Sequence, residues 1–180
     1  FLNKHLVNAF NRLYYSSNAK KPKTQNIHYD SFFYPLDKIN NWNRLYGSNG
    51  LVQYQFVIPN ENSRSIVEEI LSFAAQSSMN SYLAVLKELG PANENYLSFP
   101  KKGVTLAMDF KVNKKLFPFL NHLDSIISCN GGKVYLAKDA RITETAFKRG
   151  YPEWQQFRRV REKYGAHTVF HSLQSRRIGL

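Results

Sequence analysis

A chain of 180 residues with 43% hydrophobic and 14% aromatic content falls outside the disordered class; it has room for one domain with a real core and little for two. The single cysteine, Cys129, excludes an intrachain disulfide and points to the cytosol or another reducing compartment. The formal charge of +12 favours an anionic partner: nucleic acid, an anionic membrane surface or a phosphorylated substrate.

No apolar run reaches membrane-span length, and the start does not resemble a secretion signal. Phe at position 1, where Met would be expected, suggests a piece of a longer or processed protein. Residues 2 to 15 place Leu2, Leu6, Phe10, Leu13 and Tyr14 at helical spacing, predicting an amphipathic opening helix. SSNAKKPKTQN, 16 to 26, reads as a polar, basic loop. FFYPLDKINNWNRLYG follows, dense in aromatics, and a turn leads into LVQYQFVIP, 51 to 59.

That stretch alternates as a strand, with Val52, Tyr54, Phe56 and Ile58 on one side and Gln53 and Gln55 on the other. A helix is expected over roughly 61 to 77, burying Ile66, Val67, Ile70, Leu71 and Ala74. SYLAVLKEL, 81 to 89, and GVTLAMDFKV, 103 to 112, are the next strands. The second of these puts Val104, Leu106, Met108 and Phe110 opposite Thr105, Ala107 and Asp109. Asn113 is placed to cap a helix carrying Leu116, Phe117, Leu120, Leu123 and Ile127, which Gly131-Gly132 stops. KVYLAK, 133 to 138, is a fourth strand. Pro152 suits the first turn of a helix through Tyr164, ended by Gly165, and a last short helix is expected over 168 to 177.

This order predicts an α+β fold, a mostly antiparallel sheet with helices packed on one face. The other face then carries Gln53, Gln55, Lys87, Thr105 and Ala107, with Leu83 and Val85 beside Lys87 and, if the fourth strand follows suit, Lys138. Amides, lysines and a hydroxyl can line a pocket for a polar anionic ligand, or can simply meet water. There is no glycine-rich phosphate loop, HExxH motif or paired CxxC, and the five histidines are scattered, so no metal site is expected. Residue chemistry alone identifies no nucleophile or acid–base pair.

Taken together, FFYPLDKINNWNRLYG, LVQYQFVIP, SYLAVLKELGP, LSFPKKGVTLAMDF, GGKVYLAKDAR and the ending FHSLQSRRIGL resemble a known set of motifs. They are similar to the C-terminal portion of the decaprenylphosphoryl-β-D-ribose 2'-oxidase family, FAD-linked oxidoreductases of the vanillyl-alcohol-oxidase type. The resemblance implies that residues 1–180 form a single C-terminal substrate (cap) domain whose open sheet face roofs a flavin. The FAD-binding domain would lie N-terminal, outside this sequence. It further implies hydride transfer from the 2'-carbon of a polyprenylphosphoryl ribose to flavin N5. A partner keto-reductase would complete the conversion to the arabinose epimer.

Residue by residue, the resemblance matches the paired glutamines to Gln53 and Gln55 and the pocket lysine to Lys87, flanked by Leu83, Val85 and Leu89. Phe33 falls at an aromatic pocket position. Tyr135 and Lys138 of the Y-x-A-K-D run would meet the flavin, as would Gln55, and Lys138 is the residue implied to act on the reaction, as a cation stabilising the reduced ring. Thr105 and Ala107 stand where the family has asparagine and, in mycobacteria, cysteine; the missing cysteine leaves the oxidase reading intact, whereas Thr105 and the leucine at 89 leave the exact substrate open. Two other readings remain: a sugar-lactone or alditol oxidase of the same flavin fold, and a basic nucleic-acid-binding module that rests on charge alone. The implied location is cytoplasmic or peripheral at the inner face of a bacterial membrane, where the basic surface would attract anionic lipid.

Overall fold

The structure, a computed structural model, describes residues 4–19, 24, 26–34, 40–41, 44 and 46–180, without the side chains of 4, 5 and 18. Leu2, the lysines at 20, 21 and 23, Trp42 and much of the FFYPLDKINNWNRLYG stretch lie outside the described residues. The chain divides into two compact units, Phe1–Leu51 and Val52–Leu180.

In the first unit, α1 (Lys4–Asn18) forms where the 3.6-residue period predicts a helix. Its apolar stripe is exposed, Phe10 at 62% and Leu13 at 73%, and Phe10 stacks on Tyr14 one turn on, at 5.9 Å. A short α2 (Tyr29–Phe33) follows His28, whose ring accepts from the Asp30 N–H.

The second unit is the expected α+β layer. Its strands are β1 (Leu51–Pro59), β2 (Ala84–Leu89), β3 (Gly103–Lys111) and β4 (Lys133–Val134), in the order β2-β3-β1-β4, with antiparallel pairing. Two helices, α3 (Ser63–Gln76) and α4 (Leu116–Cys129), supply the apolar layer. Period-two alternation sends Tyr54, Phe56 and Ile58 from β1, and Leu106, Met108 and Phe110 from β3, into one core. Ile66, Val67 and Ile70 of α3 and Leu116, Leu120, Leu123 and Ile127 of α4 join them. Leu71, expected on the buried side of α3, is 44% exposed, because the helical turn carries it past the edge of the arc that holds Ile66, Val67, Ile70 and Ala74.

Two glycines have a backbone reason. Gly131 takes φ +67°, a left-handed turn that ends α4 as expected. At Gly103 an added Cβ would lie 2.1 Å from Ile58 O, so β3 runs against β1 only without a side chain there. Asn113 sits just ahead of α4, its side chain accepting from the Lys115 N–H at 2.9 Å, while Lys115 takes the N-cap position.

Four points of the sequence reading need correction. The fourth strand stops at Val134, and Leu136–Lys138 forms a 3-10 turn, so strand alternation does not reach Lys138. A helix the sequence reading left out, α5 (Glu144–Gly150), starts where Thr143 accepts from the Ala146 N–H. The helix expected over 168 to 177 is two: after α6 (Trp154–Lys163), α7 (Ala166–Val169) ends at an extended Phe170, and Ser172 opens α8 (Leu173–Arg177) with a capping box to Ser175. The second strand also begins later than position 81, at Ala84.

Candidate functional site

Strand register collects most of the expected residues on the sheet face turned away from α3 and α4. On β2 and β3, Val85 pairs with Ala107, Lys87 with Thr105 and Leu89 with Gly103; directly opposed residues share a face. The Asp109 N–H donates to Leu83 O at 3.0 Å, which carries the register one pair further. On β1, Gln53 and Gln55 reach Asp109 and Thr105 side chain to side chain. Beyond Val134 the Tyr135 N–H donates to Gln55 O at 2.8 Å, and alternation from buried Val134 puts Tyr135 on this face.

This face is not a plain solvent face. Thr105 and Asp109 are each 1% exposed, and Val57, next after Gln55 on this side, is 0% exposed. The Thr105 hydroxyl donates to Phe56 O at 2.7 Å and accepts from Gln55 Nε2 at 3.1 Å. Gln53 Nε2 donates to Asp109 Oδ1 at 2.8 Å. Thr105, matched to a ligand-contacting position, therefore sits one layer behind the amides. Lys87 is exposed, Val85 is 37% exposed, and Leu83, Leu89 and Ala107 are half-buried around it.

The loop between β2 and β3 folds toward β4. Phe99 stacks on Tyr135 with centroids 4.3 Å apart, so one face of the tyrosine ring is already occupied. Lys133 donates to Ser98 O at 2.6 Å and lies 5.0 Å from the Tyr151 ring centroid. Burial, then repulsion from Lys101, pulls its ammonium below the usual lysine value. Neither Phe99 nor Lys133 was singled out from the sequence, where both read as ordinary core or surface residues.

Lys138 is placed differently. It is exposed at the end of the 3-10 turn, and that turn hangs on Asp139. Asp139 Oδ1 accepts from the Arg141 and Ile142 N–H groups at 2.7 and 2.6 Å. Its Oδ2 accepts from Gln174 Nε2 at 3.1 Å and from the Arg177 guanidinium, both on α8. Gln174 also donates to Leu136 O at 2.8 Å, at the start of the turn. Burial would raise the Asp139 carboxyl, but the hydrogen bonds from Ile142, Gln174 and Arg141 and the Arg177 charge hold it below the ordinary carboxylate value.

Behind the turn, Arg141 forks onto Asp124 of α4, and Asp124 also accepts from Tyr54 O–H at 2.7 Å. Burial first, then the Asp124 charge, pushes the Tyr54 hydroxyl well above its ordinary value, so it stays a donor. Phe33, 66% exposed on α2, belongs to the first unit.

The donor set suits the ring end of a flavin and not its pyrophosphate. Half-buried Tyr135, Gln55 and exposed Lys138 could border a ring and its polar edge, and bound FAD would supply the two-electron acceptor there. Nothing in the sequence offers the glycine-rich loop that cradles phosphates. Among the described residues no cluster of His, Cys, Asp or Glu could hold a metal ion, and no helix is long and apolar enough to cross a membrane.

Comparison with known proteins places residues 13–178 on the family model described as D-arabinono-1,4-lactone oxidase. The decaprenylphosphoryl-beta-D-ribose oxidase of Mycolicibacterium smegmatis is 38% identical over 170 residues, 93% of this chain and 36% of that protein. An uncharacterized protein in the mprA 5' region of Streptomyces coelicolor is 27% identical over 132 residues, 73% of this chain and 36% of that protein. The chain thus spans about a third of the length of both relatives.

Proposed function

Since the chain belongs to the D-arabinono-1,4-lactone oxidase family, we propose that it is the substrate-facing C-terminal portion of an FAD-linked oxidase acting on a sugar hydroxyl. The observation that carries this reading is the shared face: Gln53, Gln55, Leu83, Val85, Lys87, Leu89, Ala107 and Tyr135 stand together on the side away from the helices. The amides orient a sugar through its hydroxyls, while Lys87 offers a cation for a phosphate. Lys138 and Tyr135 would border the ring of an FAD held mainly by a domain outside this chain, and that FAD would supply the hydride acceptor. Within that class a polyprenylphosphoryl ribose is the preferred substrate, because the relative at 38% identity is named a decaprenylphosphoryl-beta-D-ribose oxidase, and the motif resemblance points to its 2'-hydroxyl. An exposed lysine on the amide face also suits a sugar bearing a phosphate. The basic surface would bring the protein to an anionic membrane by attraction.

A second reading has its own support. The matching family model is named for a lactone oxidase, which favours a soluble aldonolactone without phosphate. The test mixes the full-length flavoprotein anaerobically with a polyprenylphosphoryl ribose, and separately with D-arabinono-1,4-lactone, and follows the flavin absorbance. Bleaching by the ribosyl lipid alone is the expected result. Bleaching by the lactone alone moves the substrate to the second class, and bleaching by neither removes both.

A further inference from the structure

Gln53 and Gln55 could in principle face a ligand with either end of their amides, and the two ends select opposite chemistries. The bonds behind them decide which end is presented. The Thr105 hydroxyl has one hydrogen, and it goes to Phe56 O at 2.7 Å, a carbonyl that can only accept. Whatever Gln55 sets 3.1 Å from Thr105 Oγ1 must therefore be a donor, its Nε2. A carboxylate likewise only accepts, so Gln53 must turn Nε2 to Asp109 Oδ1 at 2.8 Å. Flipping either amide would set two acceptors face to face against groups that are 1% exposed, where water does not compete.

The outward consequence concerns the two oxygens. Neither Oε1 has a hydrogen-bond partner among the described residues. No buried side-chain polar atom is left unpartnered among those residues, so both oxygens are open to whatever the face meets.

We propose that Asp109 and Thr105 are positioning residues that lock the Gln53 and Gln55 amides with their carbonyl oxygens outward, making this part of the face a subsite for ligand hydroxyl groups. A sugar diol donates to two such oxygens. A phosphate oxygen would meet them acceptor to acceptor and is left to Lys87, the β2 neighbour of Thr105. The face thereby sorts a ligand's hydroxyls to β1 and its anion to β2. The identity of the hydroxyl-bearing ligand rests on the oxidase reading above; the direction of the amides does not.

The experiment uses the full-length flavoprotein and two readouts. Neutron diffraction from perdeuterated crystals should place a Gln53 amide deuteron toward Asp109, a Gln55 amide deuteron toward Thr105 and the Thr105 deuteron toward Phe56 O. The same map with either amide reversed overturns the proposal, whatever the substrate. Steady-state kinetics then compares Thr105→Val, which keeps the shape and removes both bonds, with Thr105→Ser, which keeps the hydroxyl. With whichever sugar bleaches the wild-type flavin, Val should raise KM about tenfold at little cost in kcat, and Ser should return it to within about twofold. Equal losses in Val and Ser, or a fall in kcat at constant KM, would overturn the positioning role. Failure of every sugar to bleach the wild-type flavin defeats the oxidase reading instead, and the neutron map still decides the amide direction.

Discussion

On β1 and β3 the direction of a side chain follows from its place in the strand, whereas over residues 136–142 it follows from what Asp139 and Asp124 accept. The sheet face is laid out by backbone pairing, in which Lys87 opposes Thr105 and Val85 opposes Ala107 whatever their side chains do. The Lys138 turn has no such ladder. It leaves the sheet after Val134 and is held by two carboxylates, Asp139 at its own end and Asp124 on α4, which take their donors from α8 and the loop itself. Two parts of one proposed site therefore differ in what breaks them. The face should keep its geometry when a side chain is trimmed; the turn should lose its geometry when a single acceptor goes.

The largest expected effect comes from removing Asp124. Its side chain and that of Arg141 are 6% and 8% exposed, and Tyr54 O–H is the third member of the group. Asp124→Ala would leave a buried guanidinium uncompensated, which costs about 3–5 kcal/mol. Thermal unfolding of the full-length protein checks the loss. Amide exchange in the 136–142 segment should rise with it, while β1 and β3 stay protected. Loss of protection in both regions together would erase the distinction between them.

Asp139→Asn is the next step down, expected to cost about 1–2 kcal/mol near neutral pH, because a charged acceptor shared by four donors becomes a neutral one. Its pH dependence has a fixed sign. The folded-state value is held below the unfolded one, so the wild-type carboxylate contributes stability above about pH 4, the unfolded value. That contribution is lost as pH falls through the folded value. The gap in stability between wild type and Asp139→Asn should therefore close in acid and stay constant from about pH 5 to 7. A gap that widened toward acid would mean that the carboxylate is not the stabilised form.

The same contrast explains what the sequence made legible. Period-two spacing at 51–59 and 103–112 carries both the core face and the amide face, and the 81–89 strand adds Lys87, so Gln53, Gln55, Lys87 and Thr105 could be grouped from the sequence. What it could not carry is depth. Thr105 looks like a pocket hydroxyl in sequence, and only the Phe56 and Gln55 bonds put it behind the amides. Asp109 shows in sequence only its side of the strand, with no hint that it accepts from Gln53. In KVYLAKDAR the alternation of the first residues extends naturally through Lys138. The hub that ends the strand and winds the 3-10 turn draws on Gln174 and Arg177, more than thirty residues downstream. No local periodicity records a bond of that span. The missed α5 did have a local signal, Thr143 ahead of Glu144, which fits the N-cap preference.

Gln174→Ala sharpens the comparison at lower cost, since it removes the neutral donor shared by Leu136 O and Asp139 and leaves the Arg177 contact in place. About 1 kcal/mol of stability should go, read in the 136–142 exchange rates rather than in β1. Lys87→Ala is the smallest effect on the fold and the cleanest on the face. The residue is exposed, and its strand partner is fixed by backbone pairing, so stability should move by no more than about 0.5 kcal/mol. If the face sorts hydroxyl from anion as its geometry indicates, the variant should raise KM for a phosphorylated sugar and leave KM for an uncharged lactone unchanged. An equal change for both would place Lys87 outside the anion subsite, whereas a change confined to the phosphorylated sugar ties that subsite to β2 and the amide oxygens to the sugar.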